Sequence, residues 1–290
     1  MKSDQFDGPE HMSVGGLISR LTSTLSPRAN TTSLPEYDSF ESALRASDSY
    51  EDPRLVDVVF QKTKIYRQQL LDSDLPVIKS RQLTQNLFVL SYLHCSRSIS
   101  VLEIGGACGA GYFEIQQLLP DRIAQWSIAE TPAMAGAASK LNNDQSLSSH
   151  PNLHSAMSVL TTRDLAIAQG VLQYASDPLQ MLKDLFTLGF DYVYISRTVV
   201  LVGAETLQSR IFTQQATQLS AHGPGTLPPG VADGTSSQPM VLVSRDAVFA
   251  TIPANYEVVF VFEESDKRTT QIGDRERQLA DIGFLAKRKG

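Results

Sequence analysis

The run Ile99-Ser100-Val101-Leu102-Glu103-Ile104 stops at Gly105-Gly106, and a stretch with helical spacing opens near Tyr112. A short, unbroken apolar run suits a strand buried on both faces, the strand type of parallel sheets. The rhythm then repeats. Strands are expected at 125–130, 164–169 and 191–196, with a weaker one at 153–157. Helices are expected over 112–119, from Pro132 to about 141, and from Asp177-Pro178 to about 189. Such alternation dictates βαβ units, whose right-handed crossovers leave ligands beyond the C-terminal ends of the strands. The expected architecture is α/β: a Rossmann-like, mostly parallel sheet with helices on both faces.

Other segments are arranged around this unit. Residues 1–36 mix Ser, Thr, Pro, Asn and charge without a period, and read as a mobile leader with a short helix near 17–25. Asp38-Ser39 and Asp52-Pro53 read as helix starts, since Ser or Asp caps a helix and proline suits its first position. A third helix is expected over 79–94. Residues 37–97 therefore form a helical N-terminal extension, and 98–290 the α/β domain. Residues 203–239, rich in Gly, Pro, Thr, Ser and Gln, are expected as a long loop over the site. Strands are expected again at 240–243 and 256–262, and charged residues 263–277 are read as a solvated turn.

Composition removes several classes of function. No run approaches about 18 apolar residues, so no membrane-spanning helix and no membrane partner are expected. The N-terminus lacks the continuous apolar stretch of a secretory signal. Two cysteines, Cys95 and Cys108, exclude a disulfide scaffold and fit a reducing cytoplasm. A net charge of -6 without a long basic run speaks against nucleic acid as a partner. A small-molecule substrate is expected instead, and a homodimer is one assembly that the reading allows.

The segment Glu103-Ile104-Gly105-Gly106-Ala107-Cys108-Gly109-Ala110-Gly111-Tyr112-Phe113 carries the chemistry. Glycines let the backbone approach a ligand, and a helix N-terminus offers free N–H groups. The spacing is neither G-x-G-x-x-G nor a P-loop. Glu130 ends the next strand, where a carboxylate can accept hydrogen bonds from a ribose diol. Met157 and Ser158 are placed beside an adenine, and Gln169 and Gly170 at the end of the fourth strand. Gln173, Tyr174 and Arg197 are placed on the acceptor, with Arg197 suited to a carboxylate or phosphate. Tyr174 is also a candidate catalytic group. His222 is the best-placed histidine for a general base. His150 and His154 show no metal-ligand spacing, and no metal is expected.

These motifs resemble the class I methyltransferase superfamily and, more narrowly, a group of bacterial methyltransferase-like proteins. The resemblance rests on Glu103, Gly105, Gly106, Gly109, Tyr112 and Phe113; on Trp126, Glu130 and Pro132; and on Leu172, Gln173, Tyr174, Asp177, Pro178, Arg197 and Thr198. It runs from about Phe40 to near the C-terminus. Ala107 departs from the wider superfamily, whose loop has glycine there. The resemblance implies a seven-stranded sheet ending in an antiparallel hairpin. It also implies S-adenosylmethionine as cofactor, with Glu103, Gly105, Gly106, Gly109 and Tyr112 around its amino-acid end. Methyl transfer to a small molecule is the expected function. The competing readings are binding of S-adenosylmethionine without methylation, and a nicotinamide-dependent oxidoreductase.

Overall fold

Every residue of the strand β3 (Ile99–Ile104) up to Glu103 is buried, the polar Ser100 and Glu103 among them, as its short, mostly apolar run suggests. The computed structural model describes residues 33–73, 81–93, 97–141, 145–203 and 205–290. The expected leader helix and Cys95 lie outside the described residues. β3 pairs in parallel with β4 (Ile123–Ala129) on one side and β6 (Leu165–Gln169) on the other. β5 (Leu147–His150) extends the sheet beyond β4, and β7 (Tyr192–Val202) extends it beyond β6, all in parallel. The antiparallel β12 (Arg275–Arg288) lies beside β7. β10 (Tyr256–Glu263) and β11 (Arg268–Ile272) share its outer edge. The short β1 (Ser33–Leu34) adds to β11.

Among the described residues the sheet has nine strands, in the order β1-β11-β12-β7-β6-β3-β4-β5 with β10 also on β12. The α/β expectation holds. Seven of the strands make the expected core, and β1 and β11 enlarge it. The charged 263–277 segment is thus no solvated turn, because β11 and β12 form a hairpin through it. Charge is tolerated there because much of the hairpin is exposed, Arg268, Arg275 and Glu276 among it.

Side chains alternate across each strand, so the sheet has an apolar layer on both faces. Val101, Trp126, Ile128, Leu165 and Ile167 face one layer. After a short first helix, α1 (Phe40–Arg45), it is closed by α2 (Pro53–Leu71), α3 (Arg81–Tyr92), α4 (Ala110–Leu118) and α5 (Pro132–Ala138). The N-terminal helices are therefore a wall of the core, and residues 33–290 form one unit. Leu102, Ala166, Ala168, Val193 and Ile195 face the other layer. There α6 (Leu153–Ser158), α7 (Pro178–Thr187) and α8 (Arg245–Ala250) pack. The caps follow local chemistry: Asp52 accepts the Arg54 amide at 2.8 Å ahead of Pro53, and Asp177 that of Gln180 at 3.1 Å. Residues 153–157, expected as a strand, are helical because Asn152 caps them through the Ser155 amide. The strand lies just before, in β5.

Residues 203–239 are not a long loop. β8 (Arg210–Gln218) and β9 (Thr235–Val243) pair antiparallel, and with β2 (Glu36–Tyr37) they make a second, three-stranded sheet. Only residues 219–234 connect the hairpin irregularly, apart from a short turn of helix at Leu219–Ala221. Buried Lys62 of α2 holds that connection. Its ammonium donates to the carbonyls of Ser220 and His222 at 2.6 Å each and of Gly223 at 3.3 Å. Three carbonyl acceptors offset the cost of burying a cation.

Candidate functional site

The C-terminal ends of β3, β4, β6 and β7 open on one cleft of about 770 Å³, where the strand order reverses. Ligands of α/β sheets bind at such switch points, and the volume falls within the ~300–1,000 Å³ of small-molecule sites. Gly105, Glu130, Gln169, Gly170, Gln173, Tyr174, Arg197 and His222 all line it. The other six expected site residues do not.

Glu103 lies beneath the glycine loop. Its carboxylate accepts the Trp126 indole N–H at 2.8 Å, and a Cβ on Gly106 would come within 2.5 Å of it. Gly106 is therefore glycine because Glu103 fills the space below it. Gly109 caps α4 in a left-handed conformation (φ 81°) and Tyr112 is a core residue, its ring 5.9 Å from that of Trp126. Met157 and Ser158 belong to α6. Met157 packs in the second apolar layer, and the Ser158 hydroxyl donates to the Ser155 carbonyl within its own helix. The placement beside adenine rested on reading this segment as a strand, and the segment is helical.

Burial raises the Glu103 carboxyl to about 7. The neutral form is then the folded form below that value, while the unfolded chain ionises near 4.5. The resulting stabilisation is complete below about 4.5 and is lost as pH rises through 7, on the order of 3 kcal/mol in all. Glu103→Gln stays neutral and keeps an acceptor for Trp126. Its melting temperature should fall less than that of the unaltered protein between pH 5 and 8. Parallel melting curves across that range would refute a strained carboxylate.

Glu130 stands at the end of β4 and locks the loop. One carboxylate oxygen accepts the Ala107 amide and the other the Thr131 amide, each at 2.8 Å. Burial raises its pKa, and the two amide bonds oppose the rise. Ala107 is held at φ 49°, a left-handed conformation that costs a non-glycine residue about 1–2 kcal/mol. The bond to Glu130 helps to hold it there. The Gly105 surface is closed on one side by Val171, whose Cγ2 would lie 2.8 Å from an added Cβ.

Across the cleft, the Gln169 amide donates to Asn86 at 2.8 Å and Ser196 at 2.9 Å, and accepts from Gln82 at 3.0 Å. Its side chain is thus fully engaged by protein. The Tyr174 hydroxyl donates to Gln215 at 3.3 Å, and its ring meets Tyr50 edge to face at 5.2 Å. His222 meets the other side of this group, 6.4 Å from the Tyr50 ring. Burial, and then the nearby Lys62 charge, lowers the His222 pKa, so the ring is neutral at pH 7. Buried polar atoms of this cleft without a partner among the described residues include His222 Nε2, Gln173 Oε1 and Thr131 Oγ1. Buried polar groups are seldom left so, and several in one cleft mark a surface built for a polar ligand.

Cys108 is buried and its thiol is pushed up to about 12, which makes it an inert packing residue. Tyr50, Lys62, Gln82, Thr131 and Glu264 were not legible as site residues. Thr131 could have been found as the neighbour of Glu130; the others reach the cleft or its wall from distant elements, and no local pattern marks them.

No protein-family model matches the chain, and no curated protein matches it in sequence. Among solved structures it is similar to the N-terminal domain of EvdMO1 with S-adenosylhomocysteine bound. That match has 13% identity and a TM-score of 0.46, over 79% of this chain and 97% of that one. It is also similar to an S-adenosylmethionine-dependent methyltransferase from Clostridium acetobutylicum, with 9% identity and a TM-score of 0.48 over 80% and 99% of the two chains. A third is magnesium protoporphyrin IX methyltransferase from Synechocystis with S-adenosylhomocysteine bound, with 12% identity and a TM-score of 0.38 over 82% and 100%.

Proposed function

We propose that the chain transfers a methyl group from S-adenosylmethionine to a small-molecule acceptor. One observation carries this reading: the glycine loop after β3 and the Glu130 carboxylate after β4 are bonded to each other and open on the same cleft. The donor set suits the cofactor. Each Glu130 oxygen keeps a lone pair for a ribose hydroxyl, and the orphaned Thr131 hydroxyl lies next to it in the chain. The backbone from Gly105 to Gly111 would hold the amino-acid end, ordered from below by Glu103.

When bound, the cofactor supplies an electrophilic methyl group on a sulfonium. The chain's part is to hold and align the acceptor and to exclude water. Gln173, Tyr174 and Arg197 would hold the acceptor. The neutral His222 imidazole, with Nε2 unpartnered, would take the acceptor's proton. The Lys62 clamp keeps the connection bearing His222 against α2.

Calorimetric titration of the protein with S-adenosylmethionine, S-adenosylhomocysteine and NAD tests the reading. Micromolar binding of the first two and none of NAD is expected. Absence of binding by both adenosyl compounds would overturn it. Turnover with candidate acceptors then separates methylation from binding alone.

A further inference from the structure

We propose that the cleft selects a small planar monocarboxylic acid. Its carboxylate pairs with the Arg197 guanidinium, its flat body lies against the Tyr50–Tyr174 pair, and a hydrogen-bond donor on it reaches Gln173 Oε1. The identification of this acid as the methyl acceptor rests on the function proposed above; its binding to the cleft does not.

The aim of Arg197 is built into the sheet. The register of β7 against β12 slips between Ile282 and Phe284, which face Thr198 and Ile195. Ser196 and Arg197 therefore share Gly283 as their opposite residue, the arrangement of a β-bulge, which re-aims a side chain. A Cβ on Gly283 would lie 2.8 Å from the Ile195 carbonyl oxygen and 3.1 Å from the Ser196 Cα, so only glycine permits this approach. Arg197 itself takes φ 52°, and its amide donates to the Glu264 carboxylate. The side chain then turns back over Gly170, where a Cβ would lie 3.3 Å from the guanidinium carbon. A strained backbone, a bulge and two glycines converge on one exposed arginine. Such strain persists where the surroundings enforce it, and it gathers at functional sites.

Among the described residues the guanidinium has a single hydrogen bond, from Nη2 to the Gln169 carbonyl at 3.1 Å. Among the described residues no carboxylate forms an ion pair with it. Its remaining donors form the fork that matches a carboxylate. The charge of the ligand follows from the neighbours. Glu130 and Glu264 also line the cleft, while Asp281 there is paired with Arg268 at 2.9 Å, so one arginine beside two further carboxylates favours a monoanion over a phosphate dianion.

Gln173 supplies the second recognition element. It is 4% exposed, and its Nε2 donates to the Arg197 carbonyl at 3.3 Å. A carbonyl only accepts, so this bond fixes which end of the amide is nitrogen. Oε1 is left buried and without a partner among the described residues, which calls for a donor on the ligand. The third element is the apolar wall. The Tyr50–Tyr174 pair, with Met181, Leu55 and Val199, presents ring faces and edges suited to a flat body. Burial raises the Tyr50 hydroxyl, so Tyr50 stays a neutral phenol at neutral pH.

Titration calorimetry with benzoate, 4-hydroxybenzoate and indole-3-carboxylate, each against its methyl ester, tests the inference. Titrations run with and without S-adenosylhomocysteine. At least one acid should bind tenfold or more tightly than its ester. Arg197→Met should erase that preference, and Arg197→Lys should retain part of it. Gln173→Leu should weaken 4-hydroxybenzoate several-fold more than benzoate. Circular dichroism confirms that each variant is folded; if Arg197→Met is not, the loss in Arg197→Lys decides. No acid binding, equal binding of acids and esters, or a preference that survives loss of the guanidinium would overturn the inference. Acid binding without S-adenosylhomocysteine binding would leave the ligand class standing and remove the cofactor. Binding of S-adenosylhomocysteine without the acids would do the reverse.

Discussion

Replacing Asp164 with alanine is expected to lower the unfolding free energy by about 2–4 kcal/mol while leaving ligand binding intact. Asp164, 3% exposed, stands just before β6 at the end of the sheet away from the cleft. It accepts the Ser100 amide of β3 at 2.8 Å, the Thr162 hydroxyl, and two donors of Arg97. Arg97 is half exposed and is rehydrated when its partner is lost. The buried Ser100 amide is not, and an orphaned buried donor costs about 1–3 kcal/mol. Loss of the other bonds adds the remainder. The hydrogen bonds and the Arg97 charge outweigh burial and hold the Asp164 carboxyl below the ordinary range. Its stabilisation is therefore complete above about 3.9, the unfolded value, and lost as pH falls through the lower folded value. Asp164→Asn should flatten this acid limb at a smaller cost at neutral pH. Urea unfolding of the three proteins at pH 7 and at pH 2, well below the unfolded value, checks both statements. A loss under 1 kcal/mol for the alanine variant at pH 7 would show that the cluster is an ornament of the surface.

Glu130→Ala should weaken S-adenosylhomocysteine binding roughly ten- to a hundredfold, about 1.5–3 kcal/mol. Two losses add. The ribose loses its acceptor, and the Ala107 amide loses the bond that helps to hold the loop at positive φ. Only the second loss touches the unliganded protein, and Ala107 and Thr131 are near the solvent-open cleft, so stability should change far less than affinity. Calorimetric titration beside a thermal melt separates the two. Wild-type affinity in a folded Glu130→Ala protein would remove the carboxylate from the cofactor site.

The parallel half of the fold was readable because strands buried on both faces write themselves as unbroken apolar runs, and β3, β6 and the start of β7 do so. The glycine pair after β3 and the acid after β4 followed from the same pattern. The apolar end of β9, 240–243, was readable, but β8 and residues 235–239 of β9 were hidden because they belong to a partly exposed hairpin rich in Gln, Ser and Thr, and such residues are also the composition of loops. β11 was hidden by charge, which an exposed strand tolerates. The candidate site divides in the same way. Glu130 and Gly170 lie at strand ends, whose position the rhythm predicts; Arg197, expected at the end of a strand over 191–196, lies within β7, just past its last pair with β6. Tyr50 and Lys62 reach the site only through the packing of α2 and the segment before it. Arg197 was noticed for its charge, but the bulge that aims it depends on Gly283, 86 positions onward and on another strand.

The place of β12 has a consequence for how the chain is made. β12 follows in sequence every strand that it touches, yet it lies between β7 and the β10–β11 edge. During translation β7 emerges with its β12 side bare, and that bare edge is 11 residues long and mostly apolar. An edge of that kind is a template for pairing with a neighbouring chain. The sheet closes only when residues 275–288 have left the ribosome. The interval between the synthesis of β7 and of β12 is the period in which nascent chains of this protein are most exposed to aggregation and to chaperones.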